Sequence, residues 1–199
     1  MTLPGVQDAR LGRMAEFFPM AEARTAQLLL QAAHREGLLS DCRFSAEGGR
    51  LRWSRGEHAL EVEGAVFIEG DRLCVNPASW TLSLEGFLEI LRQLIHEPTT
   101  AAWDRLCDEA LGGAPVLAAA YSVCAQKEAP EGYLDFEGWT PEGHNLHPGA
   151  KTRDGFSFAE QFEFAPEFAE VVSLPWLRVD RSLLIASGEV PEQFLSSDE

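Results

Sequence analysis

One stretch constrains this chain more than any other: Glu142-Gly143-His144-Asn145-Leu146-His147-Pro148-Gly149-Ala150-Lys151-Thr152-Arg153-Asp154-Gly155-Phe156. Pro148 and Gly149 argue against a helix through it, because proline lacks an amide donor and crowds the preceding turn. Gly155 marks a second bend or a close backbone approach. Between the glycines, Lys151 and Arg153 stand two residues apart, so an extended backbone sends both side chains to one side. Thr152 and Asp154 then point the other way, and Asp154 leaves the positive side intact. The chain has a formal net charge of −16 and two lysines, Lys127 and Lys151, so this concentration of cations is out of character. A lysine point charge beside an arginine fork suits a polyphosphate.

The run E-G-H-x-x-H-P-x-x-K-x-R-x-G-F resembles the signature of the IucA/IucC-type siderophore synthetases, ligases that work independently of nonribosomal peptide synthetases. Ala165-Pro166-Glu167-Phe168 is similar to that family's G-P-E-F. Leu174-Pro175-Trp176-Leu177-Arg178-Val179-Asp180-Arg181 is similar to its L-x-W-L-x-V-H-R, with Asp180 in place of histidine. Asn145 stands where proline is frequent, and Asp154 where an apolar residue is usual. The specific match runs over residues 130–186.

The resemblance implies that Lys151 and Arg153 hold ATP phosphates and that His144 and His147 shape the same pocket. It implies Mg2+ with the nucleotide. A carboxylate such as citrate would become an acyl-adenylate, which an amine or hydroxyl attacks to give an amide or ester. No residue receives a catalytic role from it. Members of the family are much longer. The expectation is therefore the N-terminal part of such a synthetase, or a truncated stand-alone homologue, that is inactive by itself and able to form homo-oligomers at full length. The alternative is a non-catalytic module that binds phosphate or a partner. A metal site at His144 and His147 has suitable spacing, but no second pair or cysteine completes the ligand set.

The acidic balance argues against nucleic acid or an anionic membrane as main partner, while leaving room for a locally basic pocket. Cys42, Cys74, Cys107 and Cys124 form no C-x-x-C pair. Reduced, partly buried thiols follow, which suits the cytoplasm. The first residues lack the pattern of a signal peptide, and no apolar run has membrane-spanning length.

The expected fold is α+β: N-terminal helices and an antiparallel hairpin or meander region over residues 1–129, then the start of a mixed α/β nucleotide-binding region over residues 130–199. Residues 1–18 read as a loose arm. Pro19 to Gly37 reads as a helix with Ala26, Leu29, Leu30 and Ala33 on its buried stripe. Short apolar pieces punctuated by glycines over residues 41–76 read as hairpins. Arg50, Arg52 and Arg55 are expected to pair across strands with Glu57, Glu61 and Glu63. His58 is read as structural, and His34 as a partner of its helix terminus.

Ser83 to His96 reads as a helix capped by Ser83, with Phe87, Leu88, Leu91, Leu94 and Ile95 buried. Two further helices are expected, Thr100 to Leu111 and Ala114 to Gln126. The stretch Ala129 to Pro141 reads as an acidic linker. The carboxylates in and around it, Glu128, Glu131, Asp135, Glu137 and Glu142, are read as solvated rather than metal-binding. Lys127 is expected to be solvated too. Phe158, Phe162, Phe164 and Phe168 read as an aromatic cluster, Leu174 to Ala186 as a strand, and Gly188 onward as a frayed end.

Overall fold

The computed structural model describes residues 8–63, 65–68, 72–75, 80–95, 99–132, 136, 138–143, 147, 149, 151–153, 155–169, 175, 179–183, 185 and 187–188. Its elements make an α+β fold.

Helix α1 spans Met14–Arg35. Its middle is buried on almost every side, from Ala23 to Ala33, with Arg24 and Ala32 as the partly exposed exceptions. It runs through the centre of the molecule rather than over its surface. Gly37, at φ 73°, ends it: the Leu38 amide reaches back to the Ala33 carbonyl at 2.9 Å, an arrangement that needs a left-handed residue in between. The helix begins five residues earlier than Pro19, which lies inside it. Met14 is buried, with Phe17 and Phe18 packed against the same cluster, while Pro19 faces solvent. Tertiary burial thus carries the helix back past the proline, and residues 14–18 are not a loose arm.

Strands β1 (Arg43–Glu47), β2 (Arg50–Arg55) and β3 (His58–Glu63) form an antiparallel meander in that order. The β1–β2 turn is Gly48-Gly49, with φ of 59° and 78°, the positive values a two-residue hairpin turn requires. Leu51 faces Val62 and Trp53 faces Leu60 in register, and all four are buried. Their neighbours Arg52, Glu61 and Glu63 point to water, as a two-residue period demands. Arg50 pairs with Glu63 at 2.7 Å and approaches Glu61 at 3.7 Å, as expected. Arg55 does something else: its Nη1 donates to the Ile95 carbonyl at 3.0 Å. Strands β4 (Ala65–Ile68) and β5 (Arg72–Val75) pair as a second antiparallel hairpin.

Helix α2, Leu84–Leu94, is capped at both ends by other elements. The Ser83 hydroxyl accepts from the Gly86 amide at 3.2 Å, and Glu22 of α1 accepts from the Leu84 amide at 3.1 Å. At the far end Arg55 takes the Ile95 carbonyl, and the Cys42 thiol donates to the Leu94 carbonyl at 3.3 Å. These contacts satisfy terminal groups that a helix cannot satisfy internally. Its apolar face joins α1, the buried face of the meander, Trp103 and Ala110 in the larger of two hydrophobic clusters.

Helix α3 is one 25-residue helix, Thr100–Cys124, where the sequence suggests two. Gly112, Gly113 and Pro115 lie inside it. Pro115 has no amide to donate to the Leu111 carbonyl, and Leu111 lies on the exposed side of the helix, where water can reach that acceptor. The run Val116 to Ala120 is buried without interruption and holds the second half in line. The small residues Ala118, Ala119 and Ala120 pack in a second cluster with Met14, Ala21, Val123, Ala165 and Phe168. That cluster carries the residues of interest.

Candidate functional site

The described residues between Gly149 and Phe156 form turns and no helix. The Thr152 amide donates to the Gly149 carbonyl at 2.8 Å and the Phe156 amide to the Arg153 carbonyl at 3.2 Å. Gly155 sits at φ 81°, where a side chain would be strained. The Thr152 hydroxyl donates to the Glu109 carbonyl of α3 at 3.3 Å. A Cβ at Gly113 would stand 3.5 Å from that hydroxyl, an ordinary contact distance, so the loop packs directly on α3.

Lys151 and Arg153 do share a side, and what they share is Glu167. Lys151 Nζ lies 2.7 Å from Glu167 Oε1. Arg153 Nη2 lies 3.2 Å from Oε1 and 3.4 Å from Oε2. Lys151 and Glu167 are 4% and 2% exposed, whereas Arg153 is 33% exposed. The inner cation is therefore closed off and the outer one is accessible. Two cations around one carboxylate leave a formal charge of +1. Burial pushes the Glu167 carboxyl up, but the hydrogen bond and charge of Lys151, with the charge of Arg153, outweigh it and hold the group below its ordinary range. A cavity of about 10 Å³ lies beside Lys151, lined by Thr25, Glu109, Gly113 and Gly149 among others. It has room for about one water.

Glu167 is aimed inward by the element before it. Helix α4, Phe158–Phe164, opens on a capping box: Ser157 Oγ accepts from the Glu160 amide, and Glu160 accepts from the Ser157 amide at 2.7 Å. After it the chain turns sharply, with the Phe168 and Ala169 amides both on the Ala165 carbonyl at 2.9 and 2.8 Å. Phe168 is thereby stacked on Phe162 at 4.8 Å between centroids, with Phe158 alongside. Arg10 covers Phe162 at 5.3 Å and donates to the Phe168 carbonyl at 2.9 Å. Phe164 points to solvent and is not part of the cluster expected of it.

Lys127 is no solvated lysine. Its Nζ donates to the Gly138 carbonyl at 2.6 Å and to the Glu167 carbonyl at 2.9 Å. Both lysines of the chain thus meet at Glu167, one on its side chain and one on its backbone. Glu142 is likewise tied down rather than solvated: Arg24 of α1 holds its Oε2 at 2.8 Å, and the Tyr121 hydroxyl of α3 donates to Oε1 at 2.8 Å. Burial first, then the adjoining carboxylate, push the Tyr121 hydroxyl well above its usual range. This anchor fixes the start of the signature to two helices.

His147 is exposed, and its Nδ1 accepts from the Gly149 amide at 3.1 Å. His144 lies outside the described residues, as do Asp135 and Glu137; the described residues of the expected strand from Leu174 to Ala186 form no strand, and Arg181–Leu183 is instead a turn of 3-10 helix. Cys42, Cys107 and Cys124 are free thiols, each raised in pKa chiefly by burial. Among the described residues no group of three His, Cys, Asp or Glu is arranged to hold a metal, and no helix is long and apolar enough to cross a membrane.

Glu167 and Lys127 are the residues that the sequence reading missed. Glu167 stands in the quoted Ala165-Pro166-Glu167-Phe168, an acid in an aromatic stretch, and Lys127 is one of two lysines. Those were the available signals.

Residues 132–198 match the IucA / IucC family. A relative from Staphylococcus aureus, 2-[(L-alanin-3-ylcarbamoyl)methyl]-3-(2-aminoethylcarbamoyl)-2-hydroxypropanoate synthase, is 40% identical over 52 residues, which is 26% of this chain. The match spans 8% of that relative's length. No solved structure matches the chain. Through residues 132–198, which hold the signature loop and the Lys151–Arg153–Glu167 triad, the chain is similar to the IucA / IucC family.

Proposed function

We propose that this chain supplies the phosphate-facing segment of an ATP-dependent siderophore synthetase, a cytoplasmic acid–amine ligase. The observation that carries the reading is the convergence of Lys151 and Arg153 on one carboxylate, with Arg153 still one-third open to solvent. A nucleotide triphosphate offers Arg153 the same acceptor geometry as Glu167 does, with more charge. Adenylating a carboxylate moves negative charge onto departing pyrophosphate, and a fixed guanidinium backed by a lysine stabilises that charge. Mg2+ would travel with the nucleotide. His147 and His144 would border the same pocket. The carbamoyl groups in the name of the Staphylococcus aureus relative are amide links, the product type expected when an amine attacks an activated acid such as citrate.

A second reading is a phosphate- or partner-binding module without turnover. Both readings agree that residues 1–199 alone give no acid-dependent ATP–pyrophosphate exchange.

The test uses the complete synthetase and that exchange reaction. Arg153→Ala and Lys151→Ala each lose about ten- to a hundredfold in ATP use, the range for a charged hydrogen bond of about 1.5–3 kcal/mol. Arg153→Lys is also impaired, because a point charge does not replace a fork. Unchanged kinetics in folded Arg153→Ala and Lys151→Ala proteins would remove the phosphate role.

A further inference from the structure

We propose that Lys127 is a positioning residue for phosphate recognition, acting through Glu167 on Lys151 and Arg153; this rests on the phosphate role of that pair. Lys127 follows the end of α3, fifteen residues before the signature begins at Glu142. Its ammonium bridges two carbonyls from distant segments, Gly138 at 2.6 Å and Glu167 at 2.9 Å. The Glu167 backbone is thus held on one side while its carboxylate is held on the other, at 2.7 Å by Lys151 and 3.2 Å by Arg153. A lysine with three donors can span two carbonyls without filling its last position, and no carboxylate is needed to hold it.

Gly138 reports on the same junction independently. A Cβ there would stand 2.9 Å from the Pro166 carbonyl oxygen and 3.3 Å from Lys127 Nζ. The first distance is too short to survive, so Gly138→Ala must push residue 166 or 138 away and open the bridge with Lys127 still present. The glycine is what lets the two segments approach closely enough for one ammonium to serve both. Displacing the Glu167 backbone moves its carboxylate, and with it the aim of both cations. Misplacement of a binding group by about 1 Å costs up to about a hundredfold in a reaction that depends on it.

The chain's two lysines make the test direct. NMR of isotope-labelled lysine in the 199-residue chain gives two side-chain signals, and Lys127→Met leaves the one from Lys151. We expect Lys127→Met and Gly138→Ala each to move the Lys151 signal toward that of an exposed lysine. Each should also weaken MgATP binding, read by titration of that signal, by about tenfold. Lys127→Arg, which keeps two donors, should recover part of the loss. If Arg153→Ala abolishes MgATP binding while folded Lys127→Met and Gly138→Ala bind normally, the inference is overturned and the phosphate role stands. A moved Lys151 signal with unchanged affinity overturns it equally, since the bridge would then be structural alone. If millimolar MgATP leaves the Lys151 signal of the wild-type chain in place, the phosphate role falls and this inference with it. Should Lys127→Met fail to fold, Lys127→Arg and Gly138→Ala decide the matter between them.

Discussion

Glu167 keeps a charge at 2% exposure because two cations surround it. Such a triad adds little to stability when intact, since desolvation offsets most of the attraction; breaking it is a different matter. Glu167→Gln leaves Lys151 buried without a counter-charge and is expected to cost about 3–5 kcal/mol. The pH dependence follows from the sign of the shift. The folded carboxyl lies below its ordinary value of 4.5, so its stabilisation is complete above about that pH and is lost as pH falls through the folded value. Urea unfolding at neutral pH and near pH 4 should show the wild type losing stability on acidification more steeply than Glu167→Gln. Equal acid slopes would mean that Glu167 does not carry this charge. At this scale the sequence shows half of the site. Lys151 and Arg153 do meet on one side, but through turns rather than the extended backbone that their two-residue spacing suggests. Their common partner is 14 to 16 residues away, brought in by a helix and a turn whose direction no local pattern states. Lys127 is harder still, because its acceptors are backbone carbonyls, which look alike in every sequence.

At the scale of elements, periodicity located α1, the meander and α2, because each carries a regular apolar pattern and a clear terminator. It failed at α3. Gly112-Gly113 and Pro115 read as a break, yet burial from Val116 to Ala120 keeps the helix continuous. It failed in the same way at Pro19, where burial of Met14 extends α1 backward. In both cases packing overrides local propensity. The single helix makes a checkable claim about Gly112, where an added Cβ meets nothing within 4 Å. Gly112→Ala should stabilise the protein by about 0.4–1 kcal/mol, through helix propensity and a less flexible unfolded chain. A higher melting temperature is the expected reading. A lower one would place a real break in the helix at that point.

At the scale of the molecule, the triad sits where three elements meet: α3 with Lys127 at its end, the signature loop, and the turn after α4. Arg10 and Glu142 tie these to the start of the chain and to α1. The α+β class was legible from the order of periodic segments. The joining of residues 165 and 168 to a cluster that includes Met14 and Val123 was not, since it depends on contacts across most of the chain. The central claim is that Arg153 and Lys151 exchange Glu167 for nucleotide phosphate. A crystal structure of the synthetase with MgATP bound tests it most directly. The account predicts triphosphate oxygens within hydrogen-bond distance of the Arg153 guanidinium and the Lys151 ammonium, with Glu167 loosened from at least one of them. A triphosphate bound elsewhere, with both cations still closed on Glu167, would contradict it.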